Sequence, residues 1–183
     1  MVRLWDPGNA ELVQELPGLE GIACPVAFSP NGTFVAAGEG NSGYRILIWN
    51  VSTGELLQTL KGHTENVYRV VFSLDGKLLA SASGDRTIKI WDVSSGDLLD
   101  TLYADQYKMS AVDFSANGTL MVSGGIDGFL KLWDAQSYRS IARLTGHHGE
   151  IYTVAFSPVE NVFASGGEKG KVLLWKIQSI FEE

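Results

Sequence analysis

Ser81, His63 and Asp85 stand close together in the chain and are the residue types of a hydrolase triad. In such a triad a hydroxyl attacks, an imidazole takes its proton, and a carboxylate orients the ring. A nucleophile of that kind also needs an exposed elbow and an oxyanion hole, and no Gly-x-Ser-x-Gly stretch occurs. His147-His148 suggests a metal ligand pair, but no Cys or carboxylate has ligand spacing around it. Gly38-Glu39-Gly40-Asn41-Ser42-Gly43 has the glycine density of a phosphate loop. It lacks the Lys-Ser/Thr ending and no helix pattern follows, so it reads as an enlarged turn. Cys24, the single cysteine, reads as a small buried or channel-side residue rather than a reactive thiol. The expectation is no catalytic residue, no metal and no cofactor.

The elements that must position these residues are legible as a repeat. Tryptophan falls at 5, 49, 91, 133 and 175, spacings of 44, 42, 42 and 42 residues. Phe72, Phe114 and Phe156 keep the same step, as do Ser81, Ser123 and Ser165, and Val70, Val112 and Val154. A period near 42 admits helical pairs or four-stranded blades. Short runs rich in β-branched and aromatic residues, such as Val67 to Phe72 and Thr87 to Trp91, favour strands. Asn31-Gly32, Asp75-Gly76 and Asn117-Gly118 read as two-residue hairpin turns, and glycine this dense would break helices. The clearest unit, 63–104, divides into strands near 67–73, 77–83, 87–92 and 97–102. Such a meander has two apolar faces and buries both only by packing radially on its neighbours.

Composition narrows the function classes. Hydrophobic residues make up 45% of the 183 positions and charged residues 19%, a globular balance. The net charge of −7 gives no basic stripe for nucleic-acid phosphates and disfavours anionic membrane surfaces. No run of 18 apolar residues and no basic-then-apolar leader pattern is present. One cysteine excludes an internal disulfide and suits a reducing compartment, so a cytoplasmic or nuclear location is expected.

Gly62-His63, Ser81, Asp85 and Ile88-Lys89-Ile90-Trp91-Asp92 make this unit resemble the WD-repeat β-propeller family. Similar closings at Leu4-Trp5-Asp6, Ile48-Trp49-Asn50, Leu132-Trp133-Asp134 and Leu174-Trp175-Lys176 extend the resemblance over essentially the whole chain. The resemblance implies an all-β fold of four-stranded antiparallel blades and protein or peptide partners without intrinsic catalysis. It also implies a blade-stiffening relay of Trp91, Ser81, His63 and Asp85. Ser81 is favoured over Ser83 because positions 125 and 167 are Gly125 and Gly167. Other units depart from the relay: Asp105 replaces the histidine of the third, Lys169 the aspartate of the fourth, and the first has Leu19 and Ala37.

The unit boundaries give about four and a half blades, a partial propeller within one domain. Residues 1–20 supply the last two strands of a blade; 21–62, 63–104 and 105–146 are complete; 147–183 has a weak or missing outer strand. Such an arc bares an apolar face at each end, so a segment of a longer propeller, self-association or a small ring with a displaced strand pair is expected. The leading function is a non-catalytic scaffold; the alternative is a recognition or regulatory segment of a larger, possibly enzymatic, protein. Candidate partner-binding residues come from two columns at the start of the inner strand, where units differ while structural columns stay constant. They are Asn66, Lys108 and Glu150 in one column, and Tyr68, Ser110 and Tyr152 in the other. Simple drift on an exposed rim would produce the same variation.

Overall fold

Alternation of apolar and polar residues, broken every few positions by glycine or Asx, makes strand after strand. The computed structural model describes residues 1–103 and 108–177, and no side chain is described for Ala23 or Cys24. β1 (Val2–Trp5) and β2 (Leu12–Leu16) pair as a two-stranded sheet. β3 (Ile22–Phe28), β4 (Phe34–Gly40), β5 (Ile46–Asn50) and β6 (Leu56–Leu60) form a four-stranded antiparallel meander. A second meander follows in β7 (Val67–Phe72), β8 (Leu78–Ser83), β9 (Thr87–Asp92) and β10 (Leu98–Tyr103). A third comprises β11 (Met109–Phe114), β12 (Leu120–Gly125), β13 (Leu130–Asp134) and β14 (Ser140–Leu144). β15 (Ile151–Phe156), β16 (Val162–Gly167) and β17 (Val172–Lys176) make a three-stranded sheet. The weak outer strand sought at Ser179 to Glu183 lies outside the described residues. Among those described the only helix is the 3-10 turn Glu168–Gly170, and no helix is long and apolar enough to cross a membrane.

The hairpin between first and second strands is wider than the sequence suggested. Gly32 N donates to Ser29 O at 2.9 Å and Ser29 N to Phe34 O at 2.9 Å, which leaves four residues in the loop. Only the glycine of each dipeptide has positive φ: Gly32 at 71°, Gly76 at 70° and Gly118 at 69°. Asn31, Asp75 and Asn117 act instead as side-chain acceptors, taking hydrogen bonds from Ser29, Ser73 and Ser115. Those serine hydroxyls in turn accept from Phe34, Leu78 and Leu120 N–H, and this network favours the wider turn. A second correction concerns Gly38 to Gly43: β4 runs on through Gly40, and only residues 41–45 form the turn.

The core lies between sheets rather than within one. Trp91, Leu79, Val70 and Phe72 of the second meander pack on Ile46, Ile48 and Ala36 of the first. Its opposite face, with Ile88 and Ile90, packs on Met109, Val112, Met121 and Trp133 of the third. Leu130 and Leu132 then meet Ile151, Val154 and Phe163 of the three-stranded sheet. At the other end Val2, Leu4 and Leu16 cover Val35, Leu47 and Trp49. β3, β7, β11 and β15 lie side by side along the inner edge of this arc.

Among the described residues, both ends of the arc present exposed apolar side chains. Val172 and Leu174 are 67% and 78% exposed, while their register equivalents Ile88 and Ile90 are 0% exposed. At the other end Trp5 is 56% exposed where Trp91 is 1%, and Phe28 is 55% where Phe72 is 5%. Burying one such side chain contributes about 1.5–3 kcal/mol, so each end face leaves several kcal/mol unrealised.

Candidate functional site

The second meander assembles four polar side chains in a line at one end of the sheet. Trp91, on β9, donates its Nε1–H to Ser81 Oγ of the adjacent β8 at 2.8 Å. Ser81 Oγ lies 2.7 Å from His63 Nε2, and His63 Nδ1 lies 2.7 Å from Asp85 Oδ2. Asp85 also accepts from Thr64 N–H at 3.1 Å, Thr87 N–H at 3.0 Å and Thr87 Oγ1–H at 2.6 Å. Burial opposes ionisation of Asp85, but the hydrogen bonds from His63, Thr87 and Thr64 outweigh it and hold the carboxyl well below the ordinary range. With Asp85 ionised, the bonds run in one direction if His63 carries its proton on Nδ1: indole to hydroxyl, hydroxyl to Nε2, Nδ1–H to carboxylate. Ser81 is completely buried. Its hydroxyl is shared among Trp91, His63 and Lys89 O, with no free approach for a substrate carbonyl.

Each other sheet finishes this line differently. In the third, Trp133 Nε1 donates to Ser123 Oγ at 2.9 Å, Asp127 caps Phe129 N–H, and Asp105 lies outside the described residues. In the fourth, Trp175 Nε1 donates to Ser165 Oγ at 2.8 Å and His147 Nε2 lies 2.7 Å from the same oxygen. The first departs most. Trp49 Nε1 donates to Pro17 O at 3.0 Å, with Leu19 and Ala37 offering no hydroxyl or ring. There Glu39, 0% exposed, binds Arg45 through both carboxylate oxygens at 2.8 and 2.9 Å and accepts from Glu20 N–H at 2.7 Å. Burial works against the Glu39 charge, yet these bonds leave its carboxyl below the ordinary range. Sequence reasoning missed this ion pair. The available signal was a carboxylate inside the apolar run Phe34 to Gly40, followed by one arginine before β5.

The aspartate or asparagine after each inner tryptophan was also missed as a working residue. Asp92 Oδ1 accepts from Ser94 N–H, Ser94 Oγ–H and Ser95 N–H, and Asn50 and Asp134 repeat the arrangement. It closes the turn into the outer strand.

The two variable columns lie at the same end as His63 and Asp85. Tyr68 is 39% exposed and stands beside Gly84, and Tyr152 is 56% exposed. Lys108 reaches across to Glu65 of the preceding sheet at 3.5 Å, both side chains half exposed. Asn66 Oδ1 accepts from Asn41 N–H at 2.7 Å, which ties the first meander to the second. Ser110 donates to Ile151 O of the next sheet, so its hydroxyl braces neighbours rather than facing outward. Glu150 is partly exposed and hydrogen-bonds Tyr152; burial and these contacts push the Tyr152 hydroxyl upward. The structure therefore groups Tyr68, Lys108, Glu150 and Tyr152 as accessible residues, and Asn66 and Ser110 as bridges. The Cys24 side chain lies outside the described residues. No group of three metal-ligating side chains occurs among those described.

Radially stacked meanders with a Trp–Ser–His–Asp line are the blades of a β-propeller. The model for the WD domain, G-beta repeat, matches residues 54–92, 96–134 and 138–176. The chain belongs to this WD-repeat family. Each matched repeat comprises the outer strand of one sheet and the first three of the next, which interlocks neighbouring blades. The chain is similar to the Intraflagellar transport protein 122 homolog of Mus musculus, 47% identical over 63 residues, 34% of this chain and 5% of that protein. It is similar to the Periodic tryptophan protein 2 homolog of Schizosaccharomyces pombe, 44% identical over 64 residues, 35% of this chain and 7% of that protein. It also resembles the Nuclear distribution protein PAC1 of Arthroderma otae, 37% identical over 95 residues, 48% of this chain and 21% of that protein. The matched stretches are thus a small part of these relatives. The solved structure of U3-55K shares the fold at a TM-score of 0.84 and 24% identity, covering 90% of this chain and 52% of that one.

Proposed function

We propose that this chain is a non-catalytic scaffold that holds protein or peptide partners at the end of the blades where the inner strands begin. The observation that carries the reading is the contrast at that end. Tyr68, Lys108 and Tyr152, from three successive sheets, are exposed on a frame whose Trp91, Ser81 and Ile151 are buried. Two tyrosines and a lysine, drawn from neighbouring columns of three successive sheets on a rigid arc, suit recognition of one partner by several blades. One cysteine in the whole chain fits a cytoplasmic site of action, with the nucleus as a second. The test is affinity capture from cell extract with the parent chain and with a Tyr68→Ala, Lys108→Ala, Tyr152→Ala variant whose melting is unchanged. Partners lost only from the variant support the reading; an identical set retained by both removes it. A hydrolase activity abolished by His63→Ala would also overturn it.

The exposed apolar side chains at the two ends support a second role. Further blades cover them, supplied by another copy of the chain or by a longer polypeptide in which it is a recognition segment. Light scattering at several concentrations reads the first case: the parent chain should gain mass with concentration and Leu174→Lys should not. A parent chain that stays monomeric throughout excludes self-association.

A further inference from the structure

One carboxylate stands where its in-register equivalents are apolar. Asp113, on β11, takes the place held by Ala27, Val71 and Ala155 on the inner strands of the other sheets. Its side chain turns toward β15, where Oδ2 accepts from Phe156 N–H at 2.7 Å. Phe114 N–H also bonds the carboxylate, and both donors are neutral. The ion pairs of the described residues leave Asp113 out, and the Arg69 charge acts on it only from beyond such contact. Asp113 and Phe156 both line a cavity of about 220 Å³ at the end of the arc where the inner strands finish. Its walls come from four successive sheets: Pro30 from the first, Leu74 from the second, Phe114 from the third and Pro158 from the last. Leu74 is 58% exposed, which leaves the mouth open to solvent. Asp113 is the one charged residue among those that line the cavity. An adjoining recess of about 220 Å³ shares Pro30 and Leu74 and adds Asp75, while Lys77, near Asp75, lines neither.

We propose that this cavity is a receptor for a lysine side chain of a protein partner, its ammonium paired with Asp113 and its stem laid against Leu74, Phe114 and Phe156. A carboxylate in an apolar wall without a counter-ion is costly. A cation that arrives on an apolar stem offsets that cost and buries methylene groups at the same time. Burial holds the Asp113 carboxyl above the ordinary range despite the bonds from Phe156 and Phe114 and the Arg69 charge, as expected of an ion with no close partner. The two N–H groups already occupy part of the carboxylate. That suits the point charge of an ammonium better than the planar fork of a guanidinium. The cavity is smaller than an ordinary small-molecule site, and one extended side chain suits its size. Asp75 in the adjoining recess adds to the attraction. The site lies at the opposite end of the inner strands from Tyr68, Lys108 and Tyr152. It therefore goes beyond the scaffold surface proposed there, and either can fail without the other.

The test titrates the chain with an acetylated and amidated tripeptide that carries lysine between two alanines, and with the same peptide carrying norleucine or arginine instead. NMR follows the Phe156 and Phe114 amide protons. The expected result is saturable binding of the lysine peptide that shifts both amides, with the norleucine peptide weaker by about tenfold or more. Asp113→Asn keeps an acceptor for Phe156 N–H and should weaken the lysine peptide by about tenfold or more. Glu55→Gln makes the same charge change at an exposed position in the turn before β6 and should alter binding by less than about twofold. No saturable shift, equal binding of the norleucine peptide, or undiminished binding to Asp113→Asn overturns the proposal. Equal losses in the two charge variants also overturn it, because they mark general attraction to an acidic chain. Tighter binding of the arginine peptide overturns the assignment to lysine.

Discussion

The second meander, β7–β10, and the terminal sheet, β15–β17, are written in nearly the same pattern and end in different physical states. Ile88 and Ile90 are sealed against the third meander, while Val172 and Leu174 face outward in the same register. Trp91 is 1% exposed and stands in a four-member relay; Trp175 is half-buried and stands in a three-member one. The lesson is that a repeat specifies strands and turns locally, whereas burial belongs to the pair of neighbours. A blade is finished by what lies on both sides of it.

The sharpest way to break this comparison is to truncate the two tryptophans. Trp91→Ala should cost about 3–5 kcal/mol, from lost packing and a severed relay. Trp175→Ala should cost about half as much, because one side of its sheet is open. Equal losses in denaturant melts would mean that neighbour packing does not distinguish the two blades.

Next in size is the relay carboxylate. Asp85→Asn should cost about 2–3 kcal/mol at neutral pH. The folded-state pKa of Asp85 is depressed, so its contribution is complete above the ordinary carboxylate range and is lost as pH falls through that range. The parent chain should therefore lose stability more steeply below about pH 4 than Asp85→Asn does. Parallel acid profiles would remove Asp85 from the account.

Glu39→Gln probes the other way of closing a blade. Loss of the ion pair to Arg45 should cost about 2 kcal/mol and should fall on the first meander. Hydrogen exchange localises it: faster exchange confined to β3–β6 is expected, and a uniform change across all sheets would contradict that.

The smallest effect carries the opposite sign. Asp113 accepts from Phe156 N–H at 2.7 Å, but burial raises its carboxyl above the ordinary range. Its folded-state pKa being raised, ionisation at neutral pH costs stability. An amide keeps the acceptor without the charge, so Asp113→Asn should gain up to about 1 kcal/mol at neutral pH and nothing below about pH 4. A clear loss at neutral pH would show that the charge is paired after all.

The architecture was legible because its signals are local and repeated. Val67 to Phe72 and Thr87 to Trp91 announced strands, and the observed β7, β8, β9 and β10 fall within one residue of the sequence reading. The turn after Ser29 was misjudged because Asn-Gly carries two meanings, positive φ or a side-chain acceptor. Only the serine two residues earlier tells them apart. The bond from the Ser110 hydroxyl to Ile151 O was not legible, because strand alternation does not report the adjacent sheet. Glu39 and Arg45 escaped because a single unit holds them, and a search for columns is blind to what occurs once.

The wide turns bear on how this protein ages chemically. Asn-Gly is the dipeptide most prone to deamidate, through attack of the glycine nitrogen on the asparagine side chain. Here Gly32 N and Gly118 N are each engaged with a serine carbonyl at 2.9 Å, and the Asn31 and Asn117 oxygens are fixed by serine and backbone donors. Cyclisation must wait for the hairpin to open. The slow accumulation of isoaspartate at Asn31 and Asn117 thus becomes a clock for local unfolding of the first and third blades, readable by mass spectrometry of stored protein.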